Sequence, residues 1–261
     1  MEIRSLGYRT DIMIRVLEGS HTEDRGDHLV VRTPANPSFW WGNFLLLSAA
    51  PSPGGLQGWL ETFASEFPAA LHVTLGIDVT DAAGVSEGEF VAAGFSTERT
   101  AIMTAAEIHE PPHPNPGAAY RPLAGDDDWR QSAELRAAVT SGGPGSDPEF
   151  LGARIAAERA LTEAGHGCWF GAFIGDTLVA QLGLVTDGSG LARYQNVETL
   201  AAVRRQGLAG SLVWKAGLHF LRATGGARLV MAADPDDVAI RVYRSVGFAV
   251  TQTQIGFARQ P

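Results

Sequence analysis

The sequence predicts a mixed α/β fold of the α+β kind, with a mostly antiparallel sheet flanked by helices, and three observations predict it. Two apolar runs, 168–174 and 177–185, are joined by Gly175-Asp176, a two-residue turn of the kind that closes a β-hairpin. Leu208, Leu212, Ala216 and Phe220 recur at i+4 and form one helical stripe over 207–223. Beyond it, helix and strand patterns alternate to the end of the chain.

The elements follow in order. Glu110-Pro-Pro-His-Pro-Asn-Pro-Gly117 places four prolines in six residues, which denies backbone donors and favours an extended linker. The chain is divided there, into 1–112 and 118–261. Tyr120-Arg-Pro-Leu reads as a first short strand. The spacing of Trp129, Ala133, Leu135, Ala137 and Val139 predicts a helix over 129–139, and 140–147 is a Gly-, Ser- and Pro-rich loop. A second helix begins at Pro148, a residue suited to a first turn, and runs to about 162. After the hairpin come a strand over 191–199 and the striped helix, which Gly225-Gly226 ends. A buried strand over 228–233, a helix over 237–245 and a last strand over 249–257 complete the chain.

Composition narrows the function classes. No apolar run approaches the ~20 residues that span a bilayer, and the start lacks the basic-then-apolar pattern of a secretory signal. The single cysteine, Cys168, excludes an internal disulfide framework, so a soluble cytoplasmic protein is expected. Residues 1–119 carry 6 Lys and Arg against 15 Asp and Glu, whereas 120–261 carry 14 of each. Such acidity argues against nucleic acid as a partner. It suits a cationic amine substrate, or serves solubility alone. The seven histidines show no metal spacing, and the prolines of His109-Glu-Pro-Pro-His113 prevent a helical ligand pair, so no metal is expected. Oligomeric state is not legible.

Chemistry concentrates in Val197-Glu-Thr-Leu-Ala-Ala-Val-Arg-Arg-Gln-Gly-Leu-Ala-Gly-Ser-Leu212. A strand ends, a basic turn with glycine follows, and a helix begins. Unpaired N–H groups and the positive dipole end make a helix start an anion site. Gly207 and Gly210 would let phosphate oxygens approach the backbone, and Arg204 and Arg205 add charge. No Gly-Lys-Ser/Thr triplet and no G-x-G-x-x-G fingerprint is present.

What remains resembles the GNAT superfamily of N-acetyltransferases, whose cofactor signature is Arg/Gln-x-x-Gly-x-Gly/Ala. Here it reads Arg204-Arg-Gln-Gly207-Leu-Ala209. A second family feature, Ala-x-x-x-Tyr-x-x-x-Gly-Phe, is matched by Ala239-Ile-Arg-Val-Tyr243-Arg-Ser-Val-Gly247-Phe248. The resemblance covers 120–261. It implies that acetyl-CoA is the cosubstrate and that the amides of Arg205, Gln206, Gly207, Leu208, Ala209 and Gly210 bind its pyrophosphate, flanked by Arg204 and Ser211. It implies that the main chain of Val197 and Thr199, at a splayed strand, pairs with the pantetheine arm. Tyr243 resembles the residue that protonates the departing thiolate. Asp236 stands where the family often has Asn and departs from it, because an ionised carboxylate donates no hydrogen bond.

The implied reaction moves acetyl from sulfur to a primary amine, on a small molecule or a protein. The amine must lose a proton first, so a base acting through water is useful. Glu198 is the candidate; the alternative for it is a solvated or pairing strand residue. Two other readings stay open: a non-catalytic acetyl-CoA sensor, and a transferase for a longer acyl chain.

Sliding the sequence back by 153 positions brings Gly247-Phe248 onto Gly94-Phe95 and Gly207 onto Gly54. Residues 39–47 then replace the cofactor strand, 56–67 the helix, 71–77 the next strand and 87–93 the last helix. This resembles a second GNAT-like unit that lacks the early helices, as in tandem GNAT proteins such as the mycothiol synthases. The copy is degenerate: Ser48-Ala-Ala-Pro-Ser-Pro-Gly54 loses two donors to Pro51 and Pro53 and has no Arg or Lys. Phe90 stands where Tyr243 would be.

Overall fold

The computed structural model describes residues 1–141 and 147–260. Most of the loop expected over 140–147 therefore lies outside the described residues. In chain order the elements are α1 (Leu6–Leu17), β1 (His21–Asp24), β2 (His28–Arg32), β3 (Phe44–Leu47), α2 (Leu56–Glu66), β4 (Val73–Ile77), α3 (Gly88–Ala92) and β5 (Ser96–Ala105). Then follow β6 (Ala119–Pro122), α4 (Gly125–Thr140), α5 (Pro148–Glu163), β7 (Gly167–Ile174), β8 (Thr177–Val185), β9 (Leu191–Thr199), α6 (Leu208–Thr224), β10 (Arg228–Ala233), α7 (Ala239–Ser245) and β11 (Ala249–Arg259). Among the described residues no helix is long and apolar enough to cross a membrane.

The chain forms two compact units. The first takes Met1–Ile102, Ala232–Pro235 and Val250–Pro261; the second takes Met103–Met231 and Asp236–Ala249. Two differences from the sequence division stand out. The proline segment belongs to the second unit, and the last strand belongs to the first.

In the first unit the strands run in the order β1-β2-β3-β4-β11-β5. Both faces are covered, which explains the unbroken apolar run Phe44-Leu-Leu-Leu47. With a period of two, Leu45 and Leu47 join Phe63, Phe90, Ile255 and Phe257 on one face, while Phe44 and Leu46 join Tyr8 and Ile12 of α1 on the other. The strand expected over 39–47 is shorter than that, because Trp40–Gly42 form a 3-10 turn. Helix α1 corrects the expectation that the early helices are missing; Ser5 caps it by accepting from the Tyr8 amide.

Strand β11 sits beside β4, with Ile255–Arg259 antiparallel to Ile77–Val73. Side chains decide this placement. Phe257 stacks on Phe90 with ring centroids 3.6 Å apart. Gly256 faces Gly76 across the ladder, and the two bare positions leave room for the Tyr8 ring, whose hydroxyl donates to the Ile255 carbonyl at 2.6 Å.

In the second unit the strands run β10-β9-β8-β7-β6, antiparallel except where β10 joins β9. Leu208, Leu212, Ala216 and Phe220 are all buried, as their spacing predicts. Asp147 caps α5 by accepting from the Phe150 amide at 2.9 Å, with Pro148 in the first turn. Helix α4 turns a different face inward than expected. Asp128, Trp129, Ser132, Leu135 and Arg136 are buried and Ala137 is exposed, because its inner face carries a buried charge.

Candidate functional site

Strand β9 carries the first part of the site. Gln181 faces Glu198 and Gly183 faces Gln195, so Leu182 stands opposite two residues, Asn196 and Val197. This bulge is made by Asn196, which adopts the left-handed φ of 48° that Asn tolerates best after Gly. The parallel register with β10 covers only Leu191–Arg193 against Arg228–Val230, while β9 continues to Thr199. The two strands thus part before Val197 and Thr199, whose main chain faces a split between strands.

The turn after β9 is wound tightly. Arg204 donates from Nε to the Thr199 carbonyl at 3.1 Å. Arg205 and Gly207 both have positive φ, 61° and 77°, and Gly207 leads directly into α6. A left-handed arginine is costly, and such strain is often kept at functional turns. The first-turn amides of α6 have no carbonyl within the helix to bind. A cleft of about 290 Å³ opens beside them, lined by Thr199, Val203, Arg204, Arg205, Gly207–Gly210, Val242 and Ser245 together with Pro111–His113.

The remaining expected residues fall in three places. The Gln206 carbonyl and the Ser211 hydroxyl both hold Asn115, at 2.8 Å each. Asp236 is exposed. Tyr243 is buried on α7, so its neighbours Val242 and Ser245, and not Tyr243 itself, are among the residues lining the cleft. Burial, with a smaller contribution from the charge of Asp237, pushes its phenol up to about 12. Such a group is protonated at any ordinary pH.

Glu198 lies in a buried polar network that sequence reasoning missed. Arg136 Nε is 3.0 Å from one of its oxygens, and Gln181 Nε2 donates to it at 2.7 Å. The other end of Arg136 grips Glu158 at 2.8 and 3.1 Å, and Asn196 Nδ2 donates to Glu158 at 2.9 Å. Burial raises the Glu158 carboxyl above the usual carboxylate range, against the pull of Arg136. The network pins the bulged strand to α4 and α5. The pairing role for Glu198 is thus realised, and a base role would be additional to it. Arg136 and Glu158 could have been noticed as charges on the buried faces of their helices.

Cys168 is the one cysteine, and burial alone pushes its thiol up to about 11, which leaves little thiolate for nucleophilic work. Among the described residues no group of three or more His, Cys, Asp or Glu is placed to hold a metal ion.

The equivalent turn of the first unit is built otherwise. Gly54 has the same φ as Gly207, 77°, yet its amide donates to the Glu89 carboxylate at 2.6 Å. Leu45–Leu47 pair with Leu75–Ile77 to the ends of both strands, so β3 and β4 do not part. Phe90 is buried against Phe95 and Phe257.

A bulged and parted strand, a left-handed basic turn and a helix start thus meet at one cleft, an arrangement chemically suited to an anionic ligand. Residues 134–248 match the family described as Acetyltransferase (GNAT) family. That family carries out acyl transfer with acetyl-CoA as its cosubstrate. A functionally unknown conserved protein from Staphylococcus epidermidis shares 11% identity over 93% of this chain and 94% of its own, with a TM-score of 0.75. A GCN5-related N-acetyltransferase from Kribbella flavida shares 17% over 98% and 96%, with a TM-score of 0.66. A tandem GNAT protein from the clavulanic acid biosynthesis pathway shares 14% over 99% and 92%, with a TM-score of 0.60. At such identities the likeness shows the fold alone. No curated protein matches the chain.

The residues present fit the family's cosubstrate. The helix start offers amides, and Arg204 and Arg205 supply positive charge for a diphosphate; the place of a Cβ on Gly207, expected to admit phosphate oxygens, is instead taken by the His113 carbonyl, and Pro111 packs beside Gly210.

Proposed function

We propose that this chain moves the acetyl group of acetyl-CoA to a primary amine by direct transfer at the second unit. The observation that carries the reading is the Arg204–Gly210 turn, set at the end of a parted strand and opening into a cleft. Amides from Arg205 to Gly210 would hold the pyrophosphate, and the main chain of Val197 and Thr199 would hold the pantetheine arm in the split. The neutral amine attacks the thioester carbon; a C–N bond forms, the C–S bond breaks, and CoA leaves as a thiolate. Tyr243 is the group proposed to protonate that sulfur. Glu198 is the carboxylate proposed to take the amine's proton through water, held in place by Arg136 and Gln181. Asp236 is left at the rim of the cofactor path.

The first unit is proposed to be a degenerate copy that binds no cofactor. Its strand–helix–strand–helix–strand order repeats that of the second half at the offset of 153, down to the shared φ of Gly54 and Gly207. In the copy Glu89 supplies the negative charge that a phosphate would bring. A cytoplasmic setting is proposed with this, since Cys168 needs no oxidising compartment.

The test is release of free CoA from acetyl-CoA in the presence of a library of primary amines on small molecules and peptides. Amine-dependent release supports the enzyme. Tight binding of acetyl-CoA without release from any amine would make the chain a sensor, and faster release from longer acyl-CoAs would change the donor.

A further inference from the structure

The proline segment is built into the second unit as a strap. Its start is tied to α7, where the His109 amide donates to the Val246 carbonyl at 3.2 Å. Pro111 packs on α6, its Cβ 3.2 Å from where a Cβ on Gly210 would stand. The His113 carbonyl lies against Gly207, where no Cβ would fit. Prolines at 111, 112, 114 and 116 leave His113 and Asn115 as the amides of that stretch, and fixed φ values lower the entropy lost in holding it.

Asn115 is the anchor, with all of its polar groups engaged. Its amide donates to Ser211 Oγ and its Nδ2 to the Gln206 carbonyl, both at 2.8 Å. Its Oδ1 accepts from the Gly117 amide, and its carbonyl accepts from the Tyr120 hydroxyl, both at 2.9 Å. Two of these bonds land at either end of the Gln206–Ser211 turn. Pro111, Pro112 and His113 of the same strap are among the residues lining the cleft.

We propose that the strap 111–115 is a working part of the acyl-CoA site, and that Asn115 is a positioning residue that holds the Arg204–Gly210 turn in its anion-binding shape. The inference rests on the cofactor reading given above. A turn with two left-handed residues has no ladder to hold it, and the donors of Asn115 supply what is missing. Ser211, which the family resemblance assigns to the cofactor, serves here as the post to which the strap is tied.

The test compares the full-length protein with Asn115→Ala, Asn115→Asp and Tyr120→Phe, by calorimetry with acetyl-CoA and by steady-state kinetics with whichever amine supports turnover. Losing a single hydrogen bond of this kind is expected to raise Kd and KM for acetyl-CoA about three- to tenfold. The value of kcat at saturation should stay within about twofold, because the turn, and not the reacting atoms, is disturbed. Asn115→Asp keeps an acceptor for Gly117 but loses the donor to Gln206, so it should not rescue. Tyr120→Phe removes the hydroxyl that bonds both the Asn115 carbonyl and Ser211, and serves if the Asn115 variants fold poorly. Wild-type affinity in folded Asn115→Ala and Tyr120→Phe overturns the strap proposal alone. Failure of the wild type to bind acetyl-CoA overturns the cofactor reading and the strap with it.

Discussion

His113 presents its backbone carbonyl to Gly207, in the place where any other residue would put its Cβ. The glycine at the head of α6 is therefore required twice, by its φ of 77° and by the strap. Gly54 has the same φ with nothing within 4 Å of its own missing Cβ. The pair makes a controlled experiment. Gly54→Ala should cost about 1 kcal/mol of backbone strain and leave acetyl-CoA binding unchanged. Gly207→Ala should cost more and weaken acetyl-CoA binding by about tenfold or more, read by thermal melting and calorimetry. Equal effects at the two glycines would mean that the strap contact has no bearing on the turn.

Tyr243→Phe should lower kcat and leave affinity for acetyl-CoA nearly intact. General acids contribute about 10²–10⁴-fold, and a thiolate is already a good leaving group, so the lower end is expected. The wild-type phenol is pushed up to about 12, so its donating form persists as pH rises through the ordinary alkaline range. The pH profile of kcat should therefore show no alkaline fall assignable to Tyr243 up to about pH 10. An alkaline limb near pH 9 that disappears in Tyr243→Phe would contradict the raised phenol.

Glu198→Gln separates the two roles of that residue. The amide still offers an oxygen to Arg136, and Arg136 keeps Glu158, so the melting temperature should fall only modestly. A base role predicts a loss in kcat of about 10²-fold. A kcat within about threefold of wild type would leave Glu198 as a pairing residue of β9 and nothing more.

One equivalent of acetyl-CoA should bind per chain. In the first unit Pro51 and Pro53 donate nothing, and the Gly54 amide is held by Glu89. Phe90 has no proton to give, and β3 and β4 do not part. Isothermal titration reaching two equivalents would overturn this.

Removing the last strand should damage the first unit. Ending the chain at Phe248 strips β11 from between β4 and β5 and leaves Phe90 without the ring of Phe257. Removing a large buried aromatic costs about 3–5 kcal/mol even as a single substitution, and here a whole ladder goes as well. The truncated chain should lose protection from amide exchange at 44–47 and 73–77. Native protection there would show that β11 is dispensable.

Local pattern was enough for much of this. Leu208, Leu212, Ala216 and Phe220 place α6 because helical period and burial agree there, and Arg204 to Gly210 read as a candidate anion turn because glycine and charge sit where a helix starts. The match of Gly54 and Gly94-Phe95 to Gly207 and Gly247-Phe248 at an offset of 153 is also read from residues alone. Partners are another matter. Residues 249–259 read as a strand, but only packing decides that Ile255 and Phe257 fill the face under Phe90 and that the strand serves the first unit. Arg136, Glu158 and Glu198 are 62 positions apart at the extremes, and no spacing rule joins them. Asn115 amid prolines looks like a spacer until the turn it anchors lies beside it. Sequence determines what each segment prefers to be, since period, caps and φ act within a few residues. Tertiary structure decides which segments share a wall or a charge, since those depend on volume and hydrogen-bond satisfaction across distances that the chain order does not record.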